Sequence, residues 1–117
     1  MKLVYICSPL KGDIIGNIEK AKKYCVQAIE QDYIPIAPHV YFTQFLDDNN
    51  EEERKKGMQF GIELLKFCDE LWVYGKQSEG MKKEIEWWLE NKSEETIFYR
   101  SWLNDRGIQV KWNIQRR

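Results

Sequence analysis

Apolar residues along this chain come in short runs alternating with stretches at helical spacing, and that alternation predicts a fold class. Leu3 to Cys7 is a brief apolar, β-rich run, the pattern of a strand covered on both faces. It ends in Ser8-Pro9-Leu10-Lys11-Gly12-Asp13, a turn-forming segment whose last residue suits the N-cap of a helix. Ile14, Ile18, Ala21, Cys25 and Ala28 then recur three and four apart, which predicts an amphipathic helix with its lysines in water. Tyr33 to Pro38 reads as a second strand, and the proline within it favours an edge position. Val40 to Leu46 is apolar and aromatic, either a short helix or a folded-over loop. After the breaker Asp47-Asp48-Asn49-Asn50, a helix is predicted from about Glu51 to Phe67. Its three leading glutamates suit the positive end of the helix dipole. Met58, Ile62 and Leu65 form an apolar line on it, widened by Phe60, Leu64 and Phe67.

Leu71 to Tyr74 is the third predicted strand, ending at Gly75, and Ser78 caps a helix from near Glu79 to about Glu90. Between about 93 and 106 the pattern predicts an extra helical segment capped by Ser93 and bearing Ile97, Phe98, Trp102 and Leu103, stopped by Gly107. A strand from Thr96 to Tyr99 is the alternative. Ile108 to Trp112 alternates apolar and polar residues, as a strand with one open face does. Strands alternating with helices imply right-handed βαβ units. The predicted class is therefore α/β: a three-layer, flavodoxin- or Rossmann-like parallel sheet of four to five strands with helices on both faces. A chain of 117 residues suits one domain spanning all of it. In such sheets ligands bind beyond the carboxyl ends of the strands. Three loops are thereby singled out: Ser8 to Asp13, Pro38 to Phe42, and Gly75 to Gly80.

Composition narrows the classes of partner. A formal net charge of -1 with no basic stripe argues against nucleic acid bound through its phosphates. No apolar run approaches the roughly 20 residues a membrane span requires. Cys7, Cys25 and Cys68 are odd in number, widely spaced and set among apolar residues. They read as reduced structural thiols, consistent with a soluble cytoplasmic protein. His39 is the one histidine, so neither a metal site nor a Cys-His pair is predicted. It remains a candidate hydrogen-bond or proton donor at a pocket rim. The loop from Ser8 to Gly12 lacks both the dinucleotide fingerprint and the P-loop pattern. No cofactor is expected.

The segment from Ser78 to Trp88 is the most informative. At about 100° per residue, Met81, Ile85 and Trp88 share one face, Glu84 falls within it, and Glu86 points away. A carboxylate on the buried side of a helix is costly unless hydrogen-bonded or used. Either Glu84 is functional, or it lies at the margin of the stripe and pairs with a surface lysine. Ser78 caps the helix, and the exposed amides beside it and Gly80 also suit a phosphate or sugar oxygen. Tyr5 lies in the first strand, where a buried hydroxyl would want a partner such as a carboxylate.

Tyr5 to Asp13 (YICSPLKGD), Tyr33 to Asp48 (YIPIAPHVYFTQFLDD), Cys68 to Gly75 (CDELWVYG) and Ser78 to Glu84 (SEGMKKE) together resemble the nucleoside 2-deoxyribosyltransferase-like superfamily. They are most similar to its small bacterial and phage branch, over about residues 2 to 90. The resemblance implies an N-glycosidic transferase or hydrolase acting on a (deoxy)nucleoside or its 5'-monophosphate. Glu84 matches the nucleophile that forms a covalent glycosyl-enzyme, and Tyr5 matches the tyrosine that holds it. Ser78 matches the serine that binds the sugar or 5'-phosphate, and Ser8, Leu10, Gly12, His39, Gly80 and Met81 are the further expected substrate contacts. The alternative is a module that binds a nucleotide or ADP-ribose-type ligand without processing it. One departure stands out: Gly61 occupies the place of an aspartate that handles the departing base. The resemblance also implies a homo-oligomer, with Trp87, Trp88, Phe98 and Trp102 forming either an interface or core.

Overall fold

The computed structural model describes residues 1–101 and the backbone of Gln115–Arg116. Four strands run parallel: β1 (Lys2–Cys7), β2 (Tyr33–Ile36), β3 (Glu70–Tyr74) and β4 (Ile97–Arg100). A short β5 (Gln115–Arg116) joins antiparallel to β4, giving the order β2-β1-β3-β4-β5. Helices α1 (Ile14–Glu30), α2 (Pro38–Tyr41), α3 (Glu51–Leu65) and α4 (Glu79–Asn91) connect them. The expected α/β architecture is therefore the observed one. β2, which carries Pro35, lies at the sheet's edge as the proline required.

The strand period of two divides the core into two layers. Tyr5, Cys7, Leu71, Val73 and Ile97 face one side and pack with Leu65 of α3 and with Met81, Ile85 and Trp88 of α4. Val4, Ile6, Trp72, Tyr74 and Phe98 face the other and pack with Tyr24 and Ala28 of α1. Helix α1 begins where Asp13 accepts from the Gly16 amide at 3.1 Å. Its buried face includes Tyr24, stacked on Tyr74 at 3.8 Å, and Gln27, whose side-chain oxygen accepts from the Tyr74 hydroxyl.

Two expectations need correction. Ile97 to Arg100 is strand, and Ser93 caps only a single 3-10 turn, Glu94–Thr96. The segment Ile-Phe-Tyr is β-prone and buried on both faces, which favours a central parallel strand over an amphipathic helix. Trp102, Leu103, Gly107 and the strand expected at 108–112 lie outside the described residues. Second, α3 turns Gly61 and Leu65 inward and leaves Phe60 and Phe67 exposed, so its buried face is centred on a glycine that an apolar count passes over. Of the aromatic cluster read as either an interface or core, Trp88 and Phe98 are core, in opposite layers.

Candidate active site

At the carboxyl ends of β1 and β3 lies a cavity of about 150 Å³. Helix α4 supplies its reactive side chain. Ser78 begins that helix by accepting from the Met81 amide at 3.3 Å, while its own amide reaches the Met81 sulfur at 3.4 Å. The helical repeat then carries Glu84 one turn past Met81 onto the inward face, where it is 5% exposed and lines the cavity.

Two side chains of β1 hold the carboxylate. Tyr5 and Cys7, two residues apart, project to the same face of the sheet. The Tyr5 hydroxyl donates to Glu84 Oε2, and the Cys7 thiol donates to Oε1 at 3.3 Å. No lysine, arginine or histidine pairs with Glu84 among the described residues. Burial pushes its carboxyl up to about 7, against the smaller opposing effect of the two donors. Burial, with the neighbouring carboxylate, likewise holds the Tyr5 and Cys7 protons well above their ordinary ranges. Both groups therefore remain protonated and able to donate at neutral pH.

Gly61 of α3 backs this pair. A Cβ at position 61 would lie 2.7 Å from the Tyr5 hydroxyl oxygen and 3.3 Å from Glu84 Oε2. Glycine at position 61 is thus favoured by contact, because a side chain there would press on the pair.

Seven of the nine residues singled out in the sequence line this one cavity: Tyr5, Leu10, His39, Ser78, Gly80, Met81 and Glu84. His39 Nε2 lies 2.9 Å from the Ser8 carbonyl, and since a carbonyl only accepts, Nε2 carries the proton. Burial lowers the His39 pKa, so the ring is neutral at pH 7 with Nδ1 unprotonated. Two residues are not brought to the cavity. The Ser8 side chain is buried beside a separate pocket with Asn17, Lys20 and Lys76, and only its carbonyl connects to the site through His39. Gly12 is exposed at φ +102, where a side chain would meet nothing but backbone strain.

Hydrophobic periodicity does not mark the α3 wall, where Glu53, Arg54, Gly57 and Met58 line the cavity. Asp48, just before the helix, joins His39 in the same lining. The available signal was the pair Gly57 and Gly61, four apart and so on one face, with Arg54 a turn before Met58. Cys7, expected to be a structural thiol, instead contacts Glu84, and its place two residues after Tyr5 puts both on one side of the strand. No group of three His, Cys, Asp or Glu side chains suited to a metal ion occurs among the described residues.

Residues 2–98 match the family model described as a domain of unknown function, DUF7768. The chain belongs to that family. No curated protein matches it in sequence. Among solved structures it is similar to a 2-deoxyribosyltransferase from Bacillus psychrosaccharolyticus, with a TM-score of 0.57 and 14% identity over 85% of this chain and 72% of that one. The DUF7768 chain thus shares the Rossmann-like fold of that transferase. No helix among its described residues is long and apolar enough to cross a membrane.

Proposed function

We propose that this DUF7768 protein cleaves the N-glycosidic bond of a (deoxy)nucleoside or its 5'-monophosphate, with Glu84 as nucleophile. The observation that carries the proposal is a buried carboxylate on a cavity wall, held by neutral donors and, among the described residues, by no cation. A cation would lower the carboxylate's basicity. Tyr5 and Cys7 orient it and leave it basic, as covalent catalysis at an anomeric carbon requires. A Glu84 oxygen attacks C1', the C1'–N bond breaks, and the base departs with the electron pair. Water or a second base then displaces Glu84 from the opposite face, which gives retention overall. Ser78, the α4 amide ends and Gly80 meet the sugar or its 5' substituent. With position 61 closed to side chains, His39 and Asp48 are the polar groups of the cavity assigned to the base. The structural likeness to a 2-deoxyribosyltransferase supports this reading at the level of fold.

The experiment is incubation with a panel of nucleosides and 5'-monophosphates, with release of free base measured. Turnover is expected, and Glu84→Ala should abolish it while circular dichroism stays that of the folded protein. Undiminished turnover in Glu84→Ala would overturn the assignment. Gly61 favours a second reading, in which the protein binds such a ligand without processing it. Stabilisation against heat by a nucleotide recovered unaltered, with no base released, would select that reading.

A further inference from the structure

We infer that Cys7 is a positioning residue for Glu84, its thiol fixing Oε1 as the freer, attacking oxygen while Tyr5 engages Oε2. The role as attacking oxygen rests on Glu84 being the nucleophile; the positioning itself does not. β1 is paired on both sides, with β2 and β3, so the orientation of its alternate residues is locked. Cys7 is fully buried, and its sulfur has two acceptors in reach: Glu84 Oε1 at 3.3 Å and the Met81 carbonyl at 4.0 Å. A thiol has one proton, and the nearer, charged acceptor takes it.

The two donors are unequal. A phenol hydroxyl is a strong donor and a thiol a weak one. Charge on the carboxylate is therefore drawn toward Tyr5 at Oε2, and Oε1 keeps the more available lone pair. An alanine at position 7 would leave Oε1 without a donor in a buried site, and a serine would bind it more tightly. Tyr5 and Cys7 are the titratable groups that contact Glu84 from β1. α3 brings Gly61 against the pair, and the nearby β3 residues of that layer, Leu71 and Val73, do not ionise. Lys11, His39, Asp48, Glu53, Arg54 and Glu79 line the same cavity without a hydrogen bond to Glu84.

Infrared spectroscopy on the intact protein tests this without requiring turnover. The S–H stretch of Cys7, assigned by its loss in Cys7→Ala, should move to lower frequency as Glu84 ionises, with the same midpoint as the Glu84 carboxylate band. That band is assigned by its loss in Glu84→Gln. Cys7→Ala should raise the Glu84 midpoint by about half a pH unit, the size expected for one weak hydrogen bond. Cys7→Ser should return it to or below the wild-type value. The acidic limb of kcat/KM should follow the same order. A Cys7 band indifferent to pH, or a Glu84 midpoint unmoved in Cys7→Ala, would overturn the inference. If Cys7→Ala does not fold, the wild-type band and Cys7→Ser still decide it. Spectroscopic shifts in a protein that releases no base would instead refute the nucleophile role and leave the positioning intact.

Discussion

Adding one methyl group at Gly61 probes the site from behind the Tyr5–Glu84 pair. In a helix interior Gly→Ala is ordinarily stabilising by about 1 kcal/mol, because alanine loses less backbone entropy. At Gly61 that gain meets a contact of 2.7 Å to the Tyr5 oxygen and one of 3.3 Å to Glu84 Oε2. The Tyr5 ring is rigid, 1% exposed and anchored in a strand paired on both sides, so its oxygen has no free rotor to swing away. Relief requires α3 to back off or the Tyr5–Glu84 bond to distort, at about 1–3 kcal/mol for overpacking of this kind. The same helix contains a control. A Cβ at Gly57 would meet only Leu46 Cδ1, at 3.8 Å, an ordinary contact. Gly57→Ala should therefore gain most of the helical benefit, while Gly61→Ala should be neutral to destabilised. The two are expected to differ by about 2 kcal/mol, a gap of roughly 1 M in the urea midpoint at unchanged slope. Gly61→Ala should also impair catalysis by moving the carboxylate. A Gly61→Ala protein as stable as Gly57→Ala, with turnover intact, would refute the contact argument.

The carboxyl of Glu84 also makes stability depend on pH. Its folded pKa, about 7, lies above the ordinary 4.5, so the folded state holds its proton more tightly than the unfolded state. Stability from this group is complete below about 4.5 and is lost as pH rises to about 7, a swing on the order of 3 kcal/mol. Denaturant titrations of Glu84→Gln should lack that decline, and an identical decline in wild type and variant would place its origin elsewhere. Turnover moves in the opposite sense, rising through pH 7 as the nucleophile ionises, which a pH profile of kcat/KM will show. Ser78→Ala should lower stability by about 1 kcal/mol through loss of the α4 cap, measured by urea unfolding. Its KM should rise more than its kcat falls if Ser78 holds the sugar or phosphate.

Much of the site was legible in the sequence because two periodicities expose it. The helical repeat alone put Glu84 beside Met81 and Ile85, and the observed burial agrees. Its partners were less accessible. That Cys7 touches Glu84 follows only once β1 is known to neighbour β3, so that the crossover to α4 passes over β1's inward residues. The α3 wall was hidden for a different reason: its inward face is marked by Gly57 and Gly61, which carry no hydrophobic signal. Ile97 to Arg100 was misjudged because a four-residue buried strand and a piece of buried helix have the same apolar pattern. What separates them is the open edge of β3, which needed a partner for its hydrogen bonds.

The alternation along β1 gives the strand a parity with consequences for how the chain tolerates change. Odd positions Tyr5 and Cys7 serve the carboxylate, and even positions Val4 and Ile6 serve the layer beneath α1. Because neighbours on both sides lock the register, the strand cannot slide to repair a frame error of one residue. A one-residue insertion or deletion within Leu3–Cys7 would bury the phenol and thiol against α1 and present aliphatic side chains to Glu84. Length changes there are tolerable only in twos, whereas the exposed turn around Gly12 can absorb them singly.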